Sequence, residues 1–179
     1  MTASWRPGDK RPDRASMLRV NQAGEYGATR IYAGQLAVLG RSSTAAHQVA
    51  RMAAQEKRHL ERFDRLMADR RVRPTALQPL WSVAGFALGA ATALISERAA
   101  MACTDAVETE IDRHYAEQLA ELGDEDPELA ADIAEFQAEE LEHRETAREH
   151  GAQEAIAYPV LHATIRGFCR VAIELSKRI

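Results

Sequence analysis

The chain has 179 residues, 46% of them hydrophobic and 28% charged, which is enough for one domain with a real core and excludes a disordered or fibrous chain. A net charge of −4 and a pI of about 5.9 exclude nucleic acid as a main partner, because a phosphate-binding surface needs a basic excess. Two cysteines, Cys103 and Cys169, neither in a CxxC, exclude a disulfide scaffold and predict buried thiols of a reduced compartment.

Residues 1–15 are charged, contain two prolines and have no apolar run. They predict a flexible tail rather than a secretory signal, leaving 16–179 as one domain. Strand signals are nearly absent, and the good helix formers Ala, Leu, Glu, Arg and Gln dominate. The first predicted helix runs from about Ser16 to Leu39 and stops at Gly40. The second runs from about Thr44 to Asp69 and ends in the basic turn Arg70, Arg71, Arg73. A third covers roughly Pro79 to Ser96, inside the stretch 74–96, which carries no charge at all. The fourth spans about Ala99 to Leu122 and stops at Gly123. Asp126 caps the fifth, with Pro127 in the first helical position, where proline is tolerated. The last begins near Ala152, is perturbed at Pro159 and reaches the C-terminus. The fold class is all-α.

An internal repeat runs through this pattern. Asn21–Leu36 aligns with Thr104–Leu119 at an offset of 83, pairing Glu25 with Glu108 and Tyr32 with Tyr115. At an offset of 84, Glu56 and His59 match Glu140 and His143. Two copies of one helical hairpin result, and the third helix lies between them, where a ferritin-like four-helix bundle needs its long crossover. The last helix is extra to that bundle.

Positions i and i+3 share a helix face, so Glu56 with His59 and Glu140 with His143 each present a carboxylate and an imidazole together. One such ExxH on a charged helix is ordinarily a solvated face. Two copies at equivalent points of a repeat, each preceded by a helix with a matching Glu, form the ligand pattern of di-iron and di-manganese bundles. Four buried carboxylates would be prohibitive without cations, whereas two divalent ions balance them. Carboxylate with imidazole suits iron or manganese, and the absence of paired cysteine ligands disfavours structural zinc.

Three features have two readings each. Gly24, Gly27 and Gly34 in the first helix serve either close helix packing or room for a substrate or dioxygen. Tyr32 and Tyr115 lie on the ligand faces, as buried hydrogen-bonded tyrosines or as pocket lining. The apolar stretch is long enough to span a bilayer, but a true span would put the two hairpins on opposite sides of it and destroy the site. It is therefore either a plain core crossover or, the reading favoured here, a helix that also meets a membrane. The latter has Arg70, Arg71 and Arg73 near headgroups, Trp81 near the interface and Gly85-x-x-x-Gly89 for close helix contact.

At these residues the chain resembles the demethoxyubiquinone hydroxylases of ubiquinone biosynthesis. The likeness is carried by LRVNQAGEYGATRIYAGQLAVL (18–39), EKRHLERF (56–63), RVRPTALQPLWSVAGFALGAATALI (71–95), AMACTDAVE (100–108), HYAEQL, EELEHRE (139–145) and the terminal CRVAIELSKRI. It covers almost everything after about Ser16. The resemblance implies a non-haem di-iron monooxygenase that inserts one atom of O2 into the ring of a polyprenyl demethoxyubiquinol, with NADH as electron donor. Carried over by position, Glu25, Glu56, His59, Glu108, Glu140 and His143 are the metal ligands, with Glu56 and Glu140 the bridging pair. His114 and Tyr115 match residues beside the site that relay electrons or protons. The resemblance further implies a peripheral protein on the cytoplasmic face of the inner membrane, and leaves a homo-oligomer or an accessory lipid-binding protein open as partners. No GxGxxG is present, so the NADH expectation rests on resemblance alone.

The competing reading is a ferritin-like iron-binding or storage protein without an organic substrate, which has no need of the apolar crossover. A di-iron hydroxylase of modified tRNA would want a basic patch that the charge balance does not provide. A scaffold with a dead metal site is disfavoured by the complete ligand set.

Overall fold

The computed structural model describes residues 12–40 and 43–179. Six α-helices and one short 3-10 turn make up the described chain: α1 Arg14–Val38, α2 Thr44–Asp69, α3 Gln78–Ile95, α4 Glu97–Leu122, α5 Pro127–Glu149 and α6 Tyr158–Ser176, with the 3-10 turn Ala152–Glu154 before α6. The expected tail falls mostly outside the described residues. Within them, Asp13 caps α1 by accepting from the Ser16 N–H. Ser43, Ser96 and Asp126 cap α2, α4 and α5 in the same way, each satisfying an otherwise orphaned N–H.

Helices α1, α2, α4 and α5 form the bundle. Gln22 bonds to Asp64 and Asp112 to Gln137 and Arg144, which makes α1/α2 and α4/α5 antiparallel hairpins. Asn21 meets Gln118 while Gln35 meets Ala100, so α1 and α4 are also antiparallel. Arg62 with Asp132 and Arg51 with Thr146 set α2 against α5 in the same sense. It follows that α2 and α4 run in one direction. The chain must travel the length of the bundle between them, and α3 makes that journey. This is a ferritin-like four-helix bundle with an apolar crossover and an extra C-terminal helix.

The crossover lies parallel to α1 and very close to it. A Cβ on Gly34 would overlap the Phe86 carbonyl, and one on Gly89 would overlap the Ile31 carbonyl. Gly34 thus serves packing. Gly24 and Gly27 do not: a Cβ at either would meet nothing within 4 Å. By length and composition α3 could cross a membrane, yet only part of it is buried.

Four local expectations are corrected. The last helix starts at Tyr158, not Ala152; Gly151 (φ 82°) and Ala157 (φ 54°) are left-handed, and Pro159 sits in the first helical turn, where it costs no hydrogen bond. Trp81 points inward rather than outward. It is 7% exposed, donates Nε1–H to Ser176 Oγ at 3.0 Å and meets the Phe168 ring edge-on, tying α3 to α6. Arg70 is committed to Asp126 and Glu128 at the start of α5, where cation and helix N-terminal acids attract; Arg71 and Arg73 are the exposed members of that turn. Both cysteines are free, but Cys169 is only half-buried.

Candidate metal centre

The bundle interior changes character along its axis. At one end Val49, Met52, Tyr32 and Met101 belong to an apolar cluster; at the other Leu18, Phe63, Leu66, Ile133 and Phe136 belong to a second. Between them α1 and α4 contribute Glu25 and Glu108, while α2 and α5 contribute Glu56, His59, Glu140 and His143. All six expected ligands come together, each at most 1% exposed. On α2 the order Met52, Glu56, His59, Phe63 keeps one face inward for three turns.

Ligand atoms of Glu25, Glu56, His59 and Glu140 lie within 4.8 Å of one another, and so do those of Glu56, Glu108, Glu140 and His143. The two sets share Glu56 and Glu140 and each owns one histidine and one further glutamate. Both histidines aim Nδ1 into the cluster: His59 Nδ1 is 3.2 Å from Glu140 and 3.4 Å from Glu25, and His143 Nδ1 is 3.0 Å from Glu140 and 3.2 Å from Glu56. Phe136 stacks on the His59 ring at 4.1 Å.

Six atoms of the cluster are buried without a hydrogen-bond partner: Oε2 of Glu25, both oxygens of Glu56, Nδ1 of His59, Oε2 of Glu108 and Oε1 of Glu140. Unpaired buried carboxylate oxygens are strongly penalised. Protons or cations must compensate them. Burial and the neighbouring Glu140 charge push the Glu56 and Glu108 carboxyls well above the usual range. Burial opposes ionisation of Glu140 too, yet His143 and His59 hold it down at about 2. Burial pulls His59 down, and the Glu140 and Glu25 carboxylates outweigh it, pushing the ring up to about 11. This donor set, hard carboxylates plus imidazole, fits two divalent first-row cations, whose entry would displace the protons.

The tyrosines cross the repeat. Tyr32 donates to Glu108 Oε1 at 2.7 Å, and Tyr115 donates to Glu25 Oε1. Each copy therefore orients the other copy's lone glutamate. Burial, then the carboxylate each one faces, raises both phenols, so both remain donors.

His114 is not brought to the cluster. Its Nε2 meets the Gln118 amide at 2.8 Å, and Gln118 exchanges a reciprocal pair of bonds with Asn21. It faces a separate polar cavity of about 250 Å³ with Ser16, Glu117, Glu121 and Lys177. Adjacent residues on a helix point about 100° apart, which is why Tyr115 and His114 part company.

Spacing missed the partners outside the ligands. His59 Nε2 donates to Glu139 Oε2 at 2.9 Å, and His143 Nε2 donates to Gln55 Oε1 at 3.0 Å. The signal was in the repeat: Gln55 and Glu139 are equivalent positions, each immediately before an ExxH.

A second, apolar cavity of about 90 Å³ lies between α1, α3, α4 and α6, lined among others by Gly24, Gly27, Gly85, Val107, Phe168 and Ala172. Among the described residues, every exposed large hydrophobic belongs to 80–95 or 156–179, including Val83 at 71%, Leu94 at 74% and Ile156 at 82%.

The model of the ubiquinone biosynthesis protein COQ7 family matches residues 13–176, which spans both hairpins, the crossover and α6. The chain belongs to that family. It is 55% identical over 177 residues to the 3-demethoxyubiquinol 3-hydroxylase of Rhodospirillum rubrum, covering 97% of this chain and 82% of the relative. Against the human protein named NADPH-dependent 3-demethoxyubiquinone 3-hydroxylase, mitochondrial, identity is 53% over 167 residues, covering 91% and 76%. The 5-demethoxyubiquinone hydroxylase, mitochondrial, of Saccharomyces cerevisiae is 43% identical over 179 residues, covering 91% and 77%. These relatives are hydroxylases of quinone biosynthesis, as the resemblance implied.

Proposed function

We propose that the chain is a di-iron monooxygenase that hydroxylates the ring of a polyprenyl demethoxyubiquinol, with Glu25, Glu56, His59, Glu108, Glu140 and His143 as metal ligands. The observation that carries this is the buried cluster of orphaned carboxylate and imidazole atoms in two overlapping sets, in a chain whose relatives are named for that hydroxylation. Those residues would hold two iron ions, which when bound would supply the O2 chemistry of the hydroxylation.

The chain's own residues do the rest. Tyr32 and Tyr115 hold the two unshared glutamates by hydrogen bonds to one oxygen, leaving the other oxygen aimed inward. The apolar clusters above and below exclude bulk water. The cavity between α1, α3, α4 and α6 has apolar walls that suit a quinone ring and the start of its tail, and the missing side chains of Gly24 and Gly27 leave room along its α1 wall. Tyr115 touches Glu25, which supports a relay role for that phenol, whereas His114 faces the polar cavity and has no part in that relay. The exposed apolar side chains of α3 and α6 flank the quinone cavity and support docking on a bilayer, with α3 lying on the surface rather than spanning it. Such a protein is peripheral, on the cytoplasmic face of the cell's inner membrane; the human and yeast relatives are named mitochondrial. NADH is the electron donor in this reading, while the human relative's name specifies NADPH.

The test is mass spectrometry of a demethoxyquinol analogue after incubation with anaerobically iron-loaded protein, 18O2 and either NADH or NADPH. One labelled oxygen on the ring is expected, lost together with iron in Glu56→Ala and His143→Ala. Two bound irons with O2 consumption but no ring product would favour the iron-storage reading.

A further inference from the structure

The outer partners of the two histidines occupy equivalent places in the repeat but differ in charge. His59 donates Nε2–H to the Glu139 carboxylate; His143 donates Nε2–H to the Gln55 amide oxygen. The Gln55 amide is orientated by its own NH2, which points to Glu139 Oε2 at 3.5 Å. His59 and Arg58 both donate to the Glu139 carboxylate. Arg58 reaches it through Nη2 at 2.9 and 3.1 Å, from a side chain 55% exposed. Water around that guanidinium screens it, whereas the His59 ring is fully buried.

A charge-assisted bond to an imidazole N–H is stronger than a neutral one and shifts electron density toward the opposite nitrogen, making it a better donor to a metal. We propose that Glu139 and Gln55 act as positioning residues that make the two metal positions unequal, so that the His59 side holds its ion more tightly than the His143 side. The inference rests on the two-metal reading of the cluster. It goes beyond that reading because the ligands themselves are matched: each side has one histidine, one lone glutamate and the same shared pair. The difference between the sides arises one residue before each ExxH.

The test is anaerobic titration of the metal-free full chain with Co(II) alone, followed by visible absorption and calorimetry, with circular dichroism to confirm folding. The wild type takes up two ions in a tight and a weaker step. Glu139→Gln weakens the tight step by ~10–100-fold, the usual size of an outer-partner effect, and moves the other by less than about 3-fold. Gln55→Glu is made only together with Glu139→Gln, because alone it would set two carboxylates against each other. The double exchange, Gln55→Glu with Glu139→Gln, brings back a tight and a weak step, a rescue that loss of packing could not produce. Equal weakening of both steps by Glu139→Gln, no change in either, or a double exchange that stays weak would overturn the proposal. A wild type that binds no pair of ions would overturn the metal-centre reading itself, and that is read before any variant is made.

Discussion

Replacing glycines inside one helix by alanine should have opposite effects on stability according to what each glycine faces. A Cβ at Gly24 or Gly27 enters open space beside the apolar cavity, whereas at Gly34 it enters the backbone of α3. Relative to alanine, a mid-helix glycine costs roughly 0.5–1 kcal/mol. Gly24→Ala with Gly27→Ala should therefore stabilise the fold by about 1–2 kcal/mol, raising Tm by roughly 2–8 °C for a domain of this size. Gly34→Ala should lose about 1–3 kcal/mol through overpacking, the alanine's helix propensity notwithstanding. Function should move the other way. Both glycines line the cavity of about 90 Å³, so two added methyl groups narrow a small space. A pocket misfit of one methylene is worth about 1–3 kcal/mol, so kcat/KM for the long-tailed quinol should fall by at least ~10-fold. The assays are thermal unfolding by circular dichroism and product formation with quinol analogues. A double variant that is less stable than the wild type would refute the open-space reading, and one that is more stable with undiminished turnover would refute the cavity as the substrate pocket.

Two further outcomes follow from charge and exposure. Burial, assisted by Lys177 and Arg113 and opposed by Glu174, holds His114 down at about 4. Its neutral form is thus favoured by folding, so the stability it contributes is present above pH 6.5 and is lost as pH falls from 6.5 toward 4; the full effect is about 3 kcal/mol. Urea midpoints of the wild type minus those of His114→Gln should shrink across that window, and a constant difference would mean that the ring is not held neutral. Val83→Asp with Leu94→Asp should abolish flotation with anionic vesicles while leaving the unfolding temperature nearly unchanged, since both side chains are mostly exposed; undiminished flotation would remove α3 from the membrane-docking surface.

The six clustered residues were legible before any coordinates because the information is local and doubled. An ExxH shares one helix face by the 3.6-residue period, and the repeat says which helices correspond. The crossover was legible for a similar reason: two copies of a hairpin joined by one long apolar stretch leave little choice of path. Helix ends were readable wherever a capping side chain or glycine marks them, as at Asp126 and Gly123. The start of α6 was not, since Ala157 adopts a left-handed conformation that nothing local in an alanine demands.

What the sequence by itself determined, then, is the number and type of helices, the donor set and the faces that carry it, all consequences of periodicity within single helices. Tertiary structure alone decided the partners. Rotation and rise of neighbouring helices send Tyr32 to Glu108 and Tyr115 to Glu25, turn His114 away from the carboxylate–imidazole cluster and bury Trp81 against Ser176. The same close crossing of α1 and α3 assigns Gly34 to packing and leaves Gly24 and Gly27 to the cavity. Side-chain spacing along one helix carries no term for where the next helix lies, and those partners are set by inter-helix distance and angle.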